Sequence, residues 1–167
     1  MGDLKVKKVC GFNISSIHFG VMILPYIKKE IQEEKNVITI LEGNLEKNIN
    51  QILSKLSIND EEKEKILNIN WKETDIKNEK IQNNLKKQIK GKENLVIIIY
   101  GSKQYINNAD EIVEKIDLKK NTKIINSYKF EDFSDNIKEI LDKHDSIFNT
   151  SGEHKIEEIY KGYKKIS

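Results

Sequence analysis

Ser15, Ser16 and His18 lie in GFNISSIHFG (residues 11–20), a turn between a strand-like run and a very apolar helix-like run. An α/β protein that cradles phosphate places its glycine-rich loop at this point. The pattern G-x-x-x-x-G-K-[ST] is absent, because no lysine precedes Ser15 or Ser16 and only Gly11 could serve a tight turn. Conventional nucleotide hydrolysis is therefore not expected. Ser16 and His18 do not form a nucleophile and base either, since residues two apart on a helix do not face each other. A capping serine beside a packed or solvated histidine is the simpler assignment.

A second set of chemistry-bearing residues surrounds HDSIFNTSGEH (residues 144–154), where His144 and His154 could join Asp142, Asp145 or Glu153 around a metal. That spacing, interrupted by Gly152, is not a recurring ligand pattern, and a histidine at a helix C-terminus is favoured by the dipole alone. No metal or other cofactor is expected. The apolar run LVIIIYG (residues 95–101) ends in Tyr100, Gly101 and Ser102, where a nucleotide hydrolase usually carries an acid for Mg²⁺ or water. The missing acid argues against an enzyme.

The elements that must position these groups alternate along the chain. Residues 6–13 (VKKVCGFN), 36–42 (NVITILE), 66–71 (ILNINW), 95–101 and 122–128 (TKIINSY) read as strands. LVIIIYG, rich in β-branched residues and apolar without interruption, reads as a strand buried on both faces. Helical periodicity follows Ser15 or Ser16, residues 45–56, a short acidic segment opened by Asn59 and Asp60, residues 74–89, about 106–116 and about 134–144, with a further short helix in the tail. Pro25 implies either a kink in the first helix or a helix that starts later, with Pro25 in its first turn. Five strands separated by crossovers predict one domain over residues 1–167. Its expected fold is a three-layer α/β architecture, RecA/Rossmann-like, with a mostly parallel five-stranded sheet and helices on both faces.

Ligands of open parallel sheets sit beyond the carboxyl ends of the strands. Those ends offer Asn13, Ser16, Glu42, Trp71, Tyr100, Ser102 and Tyr128, to which His144 is added as a candidate ligand-binding residue. Hydroxyls, aromatics and few carboxylates suit binding of a small organic molecule better than a defined reaction.

Composition narrows the partners. The formal charge is +2, with 29 basic and 27 acidic residues spread along the length, so no basic stripe for nucleic acid arises. Every basic residue is lysine, which removes the bidentate guanidinium clamp used in much phosphoryl-transfer chemistry. Cys10 is the only cysteine, so a disulfide framework is excluded and a reducing, cytoplasmic setting is expected. No apolar run is long enough to span a bilayer, and no membrane association is expected.

The segment TKIINSYKFEDFSDNIKEILDKHDSIFNTSGE resembles the end of the MEDS domain, a sensory domain of regulators from methanogens and methylotrophs. Tyr128, Phe133, His144 and Gly152 fall at corresponding places. Pro25-Tyr26-Ile27-Lys28 followed by residues 37–41 matches the family's N-terminal half. Lys8, Asn13, Asn126 and Lys129 stand where the family has histidine, tyrosine, cysteine and aspartate, so the resemblance carries no ligand set across. It implies a degenerate RecA/KaiC-like fold and a stand-alone, non-enzymatic sensory module that binds a small molecule and signals to a protein partner or homo-oligomer. The alternative is an interaction or scaffold domain of the same descent, without ligand or ATPase activity.

Overall fold

The computed structural model describes residues 6–118, 121–129 and 137–164. Its elements, in chain order, are β1 (Lys7–Asn13), α1 (Ser16–Gln32), β2 (Asn36–Leu41), α2 (Glu46–Leu53), α3 (Asp60–Leu67), α4 (Glu79–Ile89), β3 (Leu95–Gly101), α5 (Lys103–Glu114), β4 (Lys123–Lys129), α6 (Ile137–Asp142), β5 (Ser146–Asn149), β6 (Gly152–His154) and α7 (Ile156–Ile159). Six strands form one sheet in the order β2-β3-β4-β1-β5-β6. All neighbours are parallel except β5 and β6.

Each apolar strand divides its side chains between two cores by alternation. Val96 and Ile98 of β3 join Phe19, Ile23, Ile49, Ile66 and Trp71, so α1, α2 and α3 cover one face. Leu95, Ile97 and Ile99 join Leu85, Ile106, Val113, Ile140 and Ile156, so α4 to α7 cover the other. All seven residues of β3 are buried, as its unbroken apolar run requires.

The expected third strand is absent. Ile66 and Leu67 complete α3, whose first turn is capped by the Asn59 side chain accepting from the Glu62 N–H. The apparent alternation of ILNINW comes from asparagines, and Asn70 instead turns the chain by accepting from the Lys72 N–H at 3.0 Å. Trp71 is buried in the core and donates its indole N–H to the Ile66 carbonyl at 2.9 Å, so it ends no strand. The segment lies along the outer edge of β2, held by Thr39 donating to the Asn70 carbonyl and Thr74 N–H donating to the Leu41 carbonyl at 2.8 Å.

Two strands were not expected. β5 and β6 form a hairpin within residues 144–154, turned by Asn149, whose carboxamide oxygen accepts from the Ser151 N–H and hydroxyl. At four and three residues they carry too little pattern to be distinguished from a loop.

Pro25 stands inside α1, so the helix does not start there. Its missing N–H would have bonded to Val21, and both residues are exposed, which leaves that carbonyl to water. α4 starts at Glu79 rather than near Thr74, because Asn78 caps it by accepting from the N–H groups of Lys80 and Ile81. Asn78→Ala is expected to lower stability by about 1 kcal/mol, read as a shift of the urea midpoint without a change of slope. The start of the last long helix at Ser134, like Phe133, lies outside the described residues; its described part is α6.

Candidate functional site

β1 crosses to β2 on one side of the sheet and β4 crosses to β5 on the other, so the topological switch falls between the neighbours β1 and β4. Among the described residues, this crevice is filled by side chains. Asn13 at the end of β1 donates its amide to the Ser127 hydroxyl at 2.9 Å and the Tyr128 carbonyl at 3.2 Å, and the rings of Phe12 and Tyr128 lie 5.9 Å apart. Asn13 is 1% exposed and its carboxamide oxygen has no partner among the described residues.

The opening lies to one side, at the carboxyl ends of β2 and β3. A cavity of about 440 Å³ is lined by Glu42, Glu73, Asp75, Ser102, Tyr105 and Asn108 among others. Its floor is built by close backbone approach. A side chain at Gly101 would place its Cβ 2.8 Å from both Glu42 Cβ and Tyr105 Cδ1, so only glycine lets α5 start against β2. Glu42 Oε1 accepts from the Ser102 N–H at 2.8 Å and from Lys129 Nζ at 3.2 Å. Lys129 Nζ in turn sits 5.7 Å from the centroid of the Tyr100 ring. Burial opposes the Glu42 charge, yet the Ser102 N–H and Lys129 outweigh it and hold this carboxyl below the ordinary carboxylate value.

The hydroxyls around the cavity are engaged in holding its walls. Ser102 caps α5 by accepting from the Tyr105 N–H at 3.2 Å, and Thr74 accepts from the Leu41 N–H at 3.2 Å. The Tyr105 hydroxyl lies 2.6 Å from the Thr74 carbonyl and 2.9 Å from that of Leu41, which ties α5 to the strand end and the loop beyond it. Burial and the carboxylates of Glu42 and Glu73 push the Tyr105 phenol upward, so it remains a neutral donor.

The sequence-derived candidates are thus divided among several places. Glu42 and Ser102 line the cavity, and Tyr100 lies beneath Lys129 at its margin, with its ring 4.6 Å from Phe19 in the core. Asn13 and Tyr128 close the switch point. Ser16 accepts from the Asn48 amide at 2.6 Å and joins α1 to α2, while Trp71 is a core residue. His144 lies below the strand ends, between α6 and the sheet. Lys129 and Tyr105 were missed: the first simply continues a strand and the second reads as one more helical residue.

His144 and His154 are not brought together. His154 Nε2 lies 2.8 Å from the Ser151 hydroxyl on the β5–β6 turn, and among the described residues no group of three His, Cys, Asp or Glu is placed to hold a metal. His144 belongs to a buried polar cluster: its Nδ1 donates to the Ile140 carbonyl at 2.6 Å, and Nε2 faces Asn126 Nδ2 at 3.0 Å. Asn126 Nδ2 also donates to Asp110 Oδ2 at 3.1 Å.

A separate charged cluster holds α1 to the far ends of β1, β4 and β6. Lys123 Nζ lies 3.2 Å from Glu30 Oε1, 3.3 Å from Glu153 Oε1 and 5.1 Å from the centroid of the Tyr26 ring. Glu153 also pairs with Lys7 and accepts from the Tyr26 and Ser146 hydroxyls, both at 2.9 Å.

The sheet, its two helical layers and the cavity define an α/β protein whose open site lies at the carboxyl ends of parallel strands. Comparison with protein-family models, with curated proteins and with solved structures gave no match. Among the described residues, no helix is long and apolar enough to cross a membrane.

Proposed function

We propose that this protein is a sensory, ligand-binding domain that holds a small polar molecule in the cavity above β2 and β3 and does no chemistry on it. The single observation that carries the reading is the cavity itself, about 440 Å³ in volume, with the Glu42 carboxylate held in place by the Ser102 N–H and Lys129. A concave site with a few fixed polar groups at strand ends is the usual form of a small-molecule site. The non-enzymatic part of the proposal is supported by the engagement of the hydroxyls in the lining. Ser102, Thr74 and Tyr105 spend their hydroxyls on the cavity walls, and the lining includes neither histidine nor cysteine. The RecA/KaiC-like, MEDS-like descent belongs to this proposal and is supported by parallel strands with α1 rising from the turn after β1, where a phosphate loop would lie.

Native mass spectra of the purified chain, set beside denaturing spectra of the same sample, test the reading. A bound small-molecule mass is expected, and Glu42→Ala should reduce its occupancy about tenfold, the effect of losing a hydrogen bond to a charged group. A bound mass that survives Glu42→Ala unchanged would place the ligand elsewhere.

A second reading, an interaction domain without ligand, is favoured by one feature. Ile14, Ile17 and Val21 are 72%, 51% and 44% exposed beside one another at the start of α1. A bare oligomer in the native spectra, with no small mass attached, would favour it.

A further inference from the structure

The buried cluster at Asp110, Asn126 and His144 joins α5, β4 and the end of α6, and plays no part in the cavity. The hydrogen bonds that join the three side chains assign the protons between them. His144 Nδ1 faces the Ile140 carbonyl at 2.6 Å, and a carbonyl can only accept, so Nδ1 carries the ring proton and Nε2 is bare. Asn126 must then present its amide nitrogen to Nε2 at 3.0 Å, and its second amide proton goes to Asp110 Oδ2 at 3.1 Å. Both protons of one amide are used, while Asn126 Oδ1, in a side chain that is 0% exposed, has no partner among the described residues. Asp110 Oδ1 is likewise buried without one.

We propose that the Asn126 carboxamide is a reversible coupler that binds two protons together. In the neutral state its nitrogen donates to both His144 and the Asp110 carboxylate. When His144 gains a proton on Nε2 and Asp110 gains one on Oδ2, a half-turn of the amide brings Oδ1 into the place of Nδ2. That oxygen then accepts from both new donors. With a single proton added, one side of the amide faces a mismatched group whichever way it is turned. Uptake at either end therefore favours uptake at the other.

The surroundings bear on both sites. From β1, Lys8 Nζ lies 3.5 Å from Asp110 Oδ2 and opposes protonation at both sites, while the Cys10 thiol, pushed up by burial to about 12, stays neutral. On α5 the Glu114 charge raises Asp110, and after α6 Lys143 lowers and Asp145 raises His144. On β4, Tyr128 sits edge-on to His144, its ring centroid 6.0 Å away, and its phenol is held neutral by burial and by Asp110. Burial is the largest influence on both partners, depressing His144 to about 4 and raising Asp110. Burial thus moves the two titrations in opposite directions.

Nuclear magnetic resonance of the full chain between pH 7 and pH 3.5 tests the coupler, following the His144 ring nitrogens, the Asn126 side-chain amide and the Asp110 carboxyl carbon. The expected result is one shared midpoint, a titration slope clearly above 1, and movement of the Asn126 amide signals with it. Asp110→Asn removes one of the protons and should return the His144 slope to 1. Separate midpoints for His144 and Asp110 in the native chain would overturn the proposal. So would an Asn126 amide that does not respond, or global unfolding before His144 takes up its proton.

Discussion

Gly11→Ala is expected to destabilise the protein by about 3 kcal/mol, the upper end of the usual penalty for overpacking a core. A Cβ at this position would lie 2.1 Å from Phe148 Cε1, 2.5 Å from Cδ1 and 2.8 Å from Cζ. Phe148 is 1% exposed and packs within the core under α1, so its ring has nowhere to retreat without displacing its neighbours. The urea midpoint should fall with little change in slope, and Gly11→Ala combined with Phe148→Leu should recover part of the loss. Gly20→Ala is the control. Its Cβ would meet Ile52 Cδ1 at 2.4 Å, but that is the far end of a flexible side chain, and alanine gains up to about 1 kcal/mol over glycine inside a helix. A midpoint close to that of the native chain is expected there. An equal loss at both positions would refute the steric account. The same contact explains Gly11 in physical terms: it lies within β1, opposite Ser127, and makes room for Phe148, so it forms no phosphate turn.

Lys123→Met is expected to lower stability by about 2–3 kcal/mol at neutral pH and to flatten its dependence on acid. The lysine stands between Glu30, which is 3% exposed, and Glu153, and removing it leaves two carboxylates sharing a poorly solvated site. The loss stays below that for an isolated buried pair, because Lys35 still serves Glu30 at 2.8 Å and Lys7 still serves Glu153. Burial opposes the Glu153 charge, but Lys7, Lys123 and the Tyr26 and Ser146 hydroxyls hold this carboxyl down at about 2. A carboxyl depressed from 4.5 contributes stability that is complete above 4.5 and lost as pH falls toward 2; that interval corresponds to about 3 kcal/mol. Glu30 lies below its ordinary value as well and acts in the same direction. In Lys123→Met the Glu153 carboxyl should rise toward 4.5, so less stability is left to lose in acid and the gap between the two proteins should narrow as pH falls from 4.5 toward 2. Urea midpoints of both proteins between pH 7 and pH 2 decide the matter, and parallel profiles would show that Lys123 does not hold these carboxyls down.

Both predictions concern contacts that the sequence did not announce. Gly11 and Phe148 are far apart in the chain, and β5, which carries Phe148, is too short to be read as a strand. Lys123 reads as an ordinary polar start to β4, yet it meets Glu30 from α1 and Glu153 from β6. The same holds at the cavity. Glu42 was visible as a carboxylate after β2, and Ser102 as a hydroxyl after β3. That Lys129 reaches Glu42 while His144 does not depends on which strands are neighbours, and strand order has no local pattern in the chain.

The features legible from chain order are local. β1, β2, β3 and β4, with a helix opened by Ser15 or Ser16, follow from side-chain period, β-branched content and capping chemistry, all of which act within a few residues. Buried on both faces, β3 also required helical layers above and below the sheet. The tertiary structure alone decided that Ile66 to Trp71 would bury a helix end and an indole instead of adding a strand, and that the hairpin after His144 would extend the sheet. It also decided that the crevice at the switch point would close on Asn13 while the opening moved to Glu42 and Ser102. These outcomes arise from burial and hydrogen bonding between distant segments, whose energies depend on the assembled fold and not on the order of neighbouring residues.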